Sequence, residues 1–146
     1  MLFPKFSEGL EAVLFIALNA GADPVSSKQI CAYQGVLPRH LEPVLQILVK
    51  SGILKGTKGP RGGYTLAREK RRICVDEIFK LLNTSCCKES DVKDQKNNNI
   101  KDVITLKLDD EIANNISTHL NSITIEDLCK QLESSAKNGK KVEFSI

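Results

Sequence analysis

Residues 55–64 read KGTKGPRGGY, which places four glycines, a proline and three cations between two brief apolar segments, Ile53-Leu54 and Tyr64-Thr65-Leu66. Glycine and proline at this density break any helix, while the flanks have the length and residue types of short strands. The stretch is therefore expected to close a β-hairpin, its glycines supplying the backbone conformations that other residues resist. It does not match a nucleotide-binding phosphate loop. The order G-x-x-x-x-G-K-[ST] is missing, and Gly63 leads into a strand segment rather than a helix.

What precedes the hairpin is helical. Ser7 to Asn19 carries Leu10, Val13, Leu14, Ala17 and Leu18 on one face, with Ser7 as N-cap and Gly21 as stop. Ser26-Ser27-Lys28-Gln29 has the form of a capping box that opens a short helix to Gln34, ended by Gly35. Ile30 and Cys31 face inward there, so Cys31 is read as a small buried hydrophobe. Pro38 suits the first turn of a third helix running to about Ser51, with Leu41, Leu45 and Leu48 on one stripe and Gly52 after it. Pro43 falls inside that helix and should bend its axis. Two short helices around a tight glycine turn form a helix-turn-helix, and a hairpin directly after it is a wing. The expected fold class is mainly α with a small β-hairpin: a winged helix-turn-helix domain followed by a long C-terminal dimerisation helix.

The distribution of charge points to a partner. Net charge over 146 residues is only +3, yet residues 55–72 hold Lys55, Lys58, Arg61, Arg68, Lys70, Arg71 and Arg72 against the single acid Glu69. Such a local positive field suits the phosphates of double-stranded DNA. A helix entering the major groove reads base edges with its N-terminal side chains, here Arg39, His40 and Glu42. Arg39 has the donors for guanine O6 and N7, and Glu42 the acceptor for cytosine N4. Lys28, Lys55, Arg68, Arg71 and Arg72 are assigned to phosphates or to plain solubility. No run of about 18 apolar residues and no signal peptide are present, so the expectation is a cytoplasmic protein without a membrane partner. There is no Cys-x-x-Cys and no nucleophile with a paired base, which argues against an enzyme.

Beyond the wing, Val75 to Leu82 is apolar at helical spacing and reads as core. Residues 83–103 form a polar stretch that reads as a mobile loop containing Cys86 and Cys87. Leu108, Ile112, Ile116 and Leu120 then recur every four residues along a helix that has too little of its own chain to cover it, so a symmetric homodimer is expected. Thr124 to Asp127 has capping-box form and opens a last short helix. The expected organisation is a DNA-binding domain over 1–82, the cysteine-containing loop over 83–103, and a dimerisation helix with a tail over 104–146.

Gly59-Pro60-Arg61-Gly62-Gly63-Tyr64-Thr65-Leu66-Ala67, with Leu41-Glu42 before it and Ile73-Cys74-Val75-Asp76-Glu77-Ile78 after it, resembles the Rrf-type winged-helix regulators, the IscR, NsrR and CymR relatives. The likeness extends to Ser122-Ile123-Thr124-Ile125-Glu126-Asp127-Leu128 and covers roughly residues 5 to 130. It implies a dimeric bacterial transcription factor, many of whose relatives carry an iron–sulfur cluster. By resemblance, Glu42 matches a base-reading glutamate and Lys58 a groove-inserting arginine of some relatives, while Arg61 replaces a frequent glycine. Leu37 and Arg39 stand where family members often have small hydroxyl residues, so the DNA site read need not be a relative's.

The cysteines depart from the pattern. Cluster-bearing relatives hold three evenly spaced cysteines in the loop, whereas this chain has only the adjacent Cys86-Cys87. A loop-bound cluster would need an unusual ligand set with His119 or an acid, and the leading expectation is no cofactor. Thiol chemistry at Cys86-Cys87 beside Lys88 is the other alternative, and no zinc site is expected, because neither His40 nor His119 stands at ligand spacing from a cysteine pair. The functional expectation is a sequence-specific repressor acting as a homodimer on a pseudo-palindrome. The alternative is a winged-helix module that uses the wing cations to bind an acidic protein surface.

Overall fold

The computed structural model describes residues 4–21, 23–88 and 111–137, giving the backbone alone for 84–88. The chain runs α1 (Pro4–Leu18), α2 (Ser27–Gln34), α3 (Pro38–Lys50), β1 (Leu54–Thr57), β2 (Gly63–Leu66), a 3₁₀ turn (Lys70–Arg72), α4 (Val75–Lys88), α5 across residues 111–120, and α6 (Ile125–Lys137). This is the mainly helical winged fold expected, with one antiparallel hairpin.

Helix α1 is central, packing against α2, α3, α4, α6 and β2. Ala12, Val13, Leu14, Ile16 and Ala17 are all buried, so more than one stripe of this helix faces protein. It begins at Pro4 rather than at Ser7. Proline's fixed φ suits a first turn, where its missing N–H removes no helical hydrogen bond. Leu18, expected inward, is the last helical residue and is exposed.

The second helix opens as its sequence directs. The Gln29 amide donates to Ser26 Oγ at 3.3 Å, and the Ser26 amide donates to Gln29 Oε1 at 3.0 Å. It ends at Gly35, whose φ of 69° is left-handed and whose N–H donates to the Cys31 carbonyl at 2.8 Å. Helix α3 buries Leu41, Val44, Leu45 and Leu48. It runs unbroken through Pro43, which is exposed. Lacking an amide, Pro43 removes the helical donor for the Arg39 carbonyl on the outer side of the helix.

The C-terminal elements are strapped to the winged unit across Ile73–Val75. The Val75 amide donates to the Ile123 carbonyl and the Ile125 amide to the Ile73 carbonyl, each at 2.9 Å, around a Cys74–Thr124 bridge. Cys74 therefore lies on extended backbone, just ahead of α4. Helix α6 starts with the expected box, in which the Asp127 amide donates to Thr124 Oγ1 and the Thr124 amide to Asp127 Oδ2. Its Ile125 and Cys129 join the same buried cluster as α1, so this part of the C-terminal segment shares the winged unit's core. Helix α4 extends to Lys88, so the polar loop expected from Asn83 does not begin there; Cys86 and Cys87 fall on the last helical turn. The remainder of the expected loop and Leu108 lie outside the described residues.

Candidate nucleic-acid interface

With Leu41, Val44, Leu45 and Leu48 turned inward, the opposite side of α3 presents Arg39, Glu42, Pro43, Gln46 and Lys50, all exposed. Arg39, Pro43, Gln46 and Lys50 recur at three or four residues, with Glu42 three after Arg39 and four before Gln46, which places all five on one face of the helix. His40 and Leu37 are exposed at its N-terminal end. The structure thus brings Arg39, His40 and Glu42 to one surface, and adds Gln46 and Lys50, which sequence reasoning missed. The available signal was helical spacing from Glu42 and Arg39, and Gln46 has the paired donor and acceptor that adenine N6 and N7 call for.

The wing is built by close backbone packing. Leu54 pairs with Leu66 and Thr57 with Gly63, leaving Lys58 to Gly62 as the connecting loop. The Gly62 amide donates to the Gly59 carbonyl at 2.9 Å, which makes Gly59-Pro60-Arg61-Gly62 a β-turn with proline in its favoured second position. Of the wing glycines only Gly59 has a positive φ, 117°. Gly62 and Gly63 are needed for proximity: a Cβ at Gly62 would lie 2.3 Å from the Thr57 carbonyl oxygen, and one at Gly63 would lie 2.4 Å from that of Val25. Val25, just before α2, pairs with Tyr64 through amide–carbonyl bonds of 3.0 and 2.7 Å, so the hairpin is fastened to the start of the helix-turn-helix.

The cations of this region divide into two groups. Lys28, Arg39, Lys55, Lys58 and Arg61 are exposed and make no ion pair among the described residues. Arg68 instead donates to the Glu77 carboxylate in the first turn of α4 and to the Arg72 carbonyl, and Arg71 pairs with Glu69. The structure places Arg68 as a strut between wing and α4. Its sequence surroundings did not show this, because Glu77 belongs to another element.

On α5, Ile112 is 45% exposed, Ile116 is half-buried, and Leu120 packs against the chain's own core. The helix is held to α4 by the Ser117 hydroxyl, which donates to Asp76. Asp76 is buried and also receives Lys80 Nζ at 2.8 Å. Burial alone would raise its pKa, but the hydrogen bonds from Lys80 and Ser117 and the Lys80 charge outweigh it and hold the carboxyl below its ordinary value.

Cys31 and Cys129 are buried, and burial raises both thiol pKa values; the Glu42 charge adds to this at Cys31. Among the described residues no three His, Cys, Asp or Glu side chains are grouped to hold a metal ion, and no helix is long and apolar enough to cross a membrane.

Comparisons with known proteins bear on the family and the fold. Residues 3–131 match the family described as Rrf2, iron-dependent transcriptional regulator. The chain is 30% identical over 131 residues to protein Rrf2 of Nitratidesulfovibrio vulgaris, covering 89% of this chain and 87% of that protein. The solved structure of T. potens IscR superposes with a TM-score of 0.66 at 32% identity, over 90% of this chain and 87% of that one. CymR, the global cysteine regulator of B. subtilis, superposes with a TM-score of 0.64 at 26% identity, over 87% and 94% respectively. These relatives regulate transcription and are not enzymes. A family match over most of the chain, with superposition on solved regulators of the same fold, means that the protein belongs to the Rrf2 family of transcriptional regulators.

Proposed function

We propose that the protein is a cytoplasmic, sequence-specific repressor that binds duplex DNA as a homodimer on a pseudo-palindromic site. The observation that carries this reading is an exposed α3 face bearing Arg39, Glu42 and Gln46, followed by a hairpin that packs on α3 and whose tip residues Lys58 and Arg61 are exposed and make no ion pair among the described residues. Arg39 bonds guanine, Glu42 accepts from cytosine N4, and the wing cations enter the adjacent minor groove. Lys28 and Lys55 neutralise phosphates, while Arg68 supports the wing. The exposed Ile112 and half-buried Ile116 favour pairing of α5 with its copy, and a dimer occupying the groove represses by excluding other proteins from that DNA. Residues 1–82 form the DNA-reading unit, 83–103 the connection, and 104–146 the dimerisation segment.

The family's description raises iron, and the donor set does not fit a loop-bound cluster. Cys31 and Cys129 serve the core, Cys74 lies in the strap to the C-terminal elements, and the remaining two, Cys86 and Cys87, are adjacent on the last turn of α4. No step of the proposed activity runs through a cofactor.

Duplex binding measured against salt tests the reading. Neutralisation by Lys28, Lys55, Lys58 and Arg61 of each protomer gives a slope of log affinity on log salt of roughly −7. A module that binds an acidic protein instead would show little duplex affinity at any salt.

A further inference from the structure

We propose that Leu37 is a specificity-determining residue that reads a thymine through its 5-methyl group, an inference that rests on α3 being the DNA-reading helix. Four large hydrophobic side chains are exposed among the described residues, and Leu37, at 54%, is the most exposed of them. The other three have visible reasons. Tyr33 stacks on Phe15 with ring centroids 4.6 Å apart, Leu18 ends α1, and Ile112 lies on the proposed dimer face.

Leu37 has no such reason, and its position makes it costly. It is the N-cap of α3, with extended backbone and no side-chain hydrogen bond to the helix. By contrast, α2 and α6 each open on a complete capping box, of Ser26 with Gln29 and of Thr124 with Asp127. Leucine is among the poorest residues at an N-cap, because it leaves a first-turn amide without an acceptor. Nor does the turn need it for packing: Val36, the residue before it, packs on the core, and Leu41 in the first turn is fully buried. The side chain is thus free to face outward, among Arg39, His40 and Glu42.

An exposed large aliphatic side chain beside Arg39, His40 and Glu42 fits one feature of the major groove. Among base edges otherwise made of donors and acceptors, the thymine 5-methyl is the apolar contact.

The test uses the full-length protein and the best duplex selected from a random pool. Each thymine is replaced in turn by deoxyuridine, which lacks only the methyl group. At one position in each half-site, wild-type affinity should fall about fourfold, the equivalent of one methyl group left unburied. Leu37→Ser should abolish the sensitivity at that position and leave preferences elsewhere intact. Its thermal midpoint should be no lower than wild type, since serine restores a cap. Duplex binding that is indifferent to every thymine-to-uracil change, or a Leu37→Ser variant that keeps the full sensitivity, overturns the proposal and leaves the DNA-binding reading standing. Failure of the wild type to bind any duplex overturns both.

Discussion

Replacing Gly63 by alanine is expected to detach the wing from the helix-turn-helix, whereas the same change at Gly56, in the partner strand, is expected to be harmless. At Gly63 the new Cβ would meet the Val25 carbonyl oxygen at 2.4 Å and its carbon at 2.6 Å. Both atoms are backbone, so no side-chain rotation relieves the clash. β2 must move off Val25, breaking the two bonds of 3.0 and 2.7 Å between Val25 and Tyr64. At a net contribution of roughly 0.5–1.5 kcal/mol each, the loss is about 1–3 kcal/mol. At Gly56 the nearest atom is Tyr64 Cε1 at 3.9 Å, an ordinary contact, and the backbone is not left-handed. Gly56→Ala should therefore lie within ~0.5 kcal/mol of wild type or be slightly stabilising, through the lower entropy of its unfolded chain. Urea denaturation at one protein concentration measures both differences. Duplex affinity measured well below the transition should also fall for Gly63→Ala alone, because the tip cations lose their fixed position relative to α3. Equal stabilities for the two variants would show that the Val25–Tyr64 pairing does not hold the wing.

Glu42→Ala should relax discrimination at one base pair by ~1–3 kcal/mol, and Lys58→Ala should weaken binding to many sequences together, both read by a binding selection. Ile116→Asp would place an unpaired charge in the proposed intersubunit contact and should yield monomers with poor half-site binding, checked by sedimentation. For Asp76 the folded pKa is lowered, so its contribution to stability is present above the ordinary carboxylate value of ~3.9 and is lost as pH falls below it through the native value. Asp76→Asn should remove that part of the acid dependence of the thermal midpoint while leaving the neutral-pH dependence unchanged. Protein purified anaerobically should lack stoichiometric iron and sulfide, and a Cys86→Ser, Cys87→Ser variant should keep its duplex affinity under reducing conditions; a chromophore lost together with affinity in that variant would refute this.

What the sequence determined alone is local. The box of Ser26 and Gln29, the left-handed stop at Gly35, the box of Thr124 and Asp127 and the turn at Gly59-Pro60-Arg61-Gly62 each depend on a few adjacent residues, whose backbone chemistry is the same in any fold. The exposed face of α3 was legible for a related reason: Leu41, Leu45 and Leu48 mark the buried side, and Arg39 and Glu42 must then lie outside it. Tertiary structure decided the pairings between elements. Arg68 looked like one more cation until α4 brought Glu77 to it, and Gly63 looked like a turn residue until Val25 came within reach of a Cβ. Asp76 meets Ser117 across 41 residues, and Ile73–Val75 meets Ile123–Ile125 across a similar span. None of these partners has a signature in sequence, because each is chosen by how α1, α4 and α6 bury their apolar sides in one core, and a side chain's neighbour there is set by that packing and not by its distance along the chain.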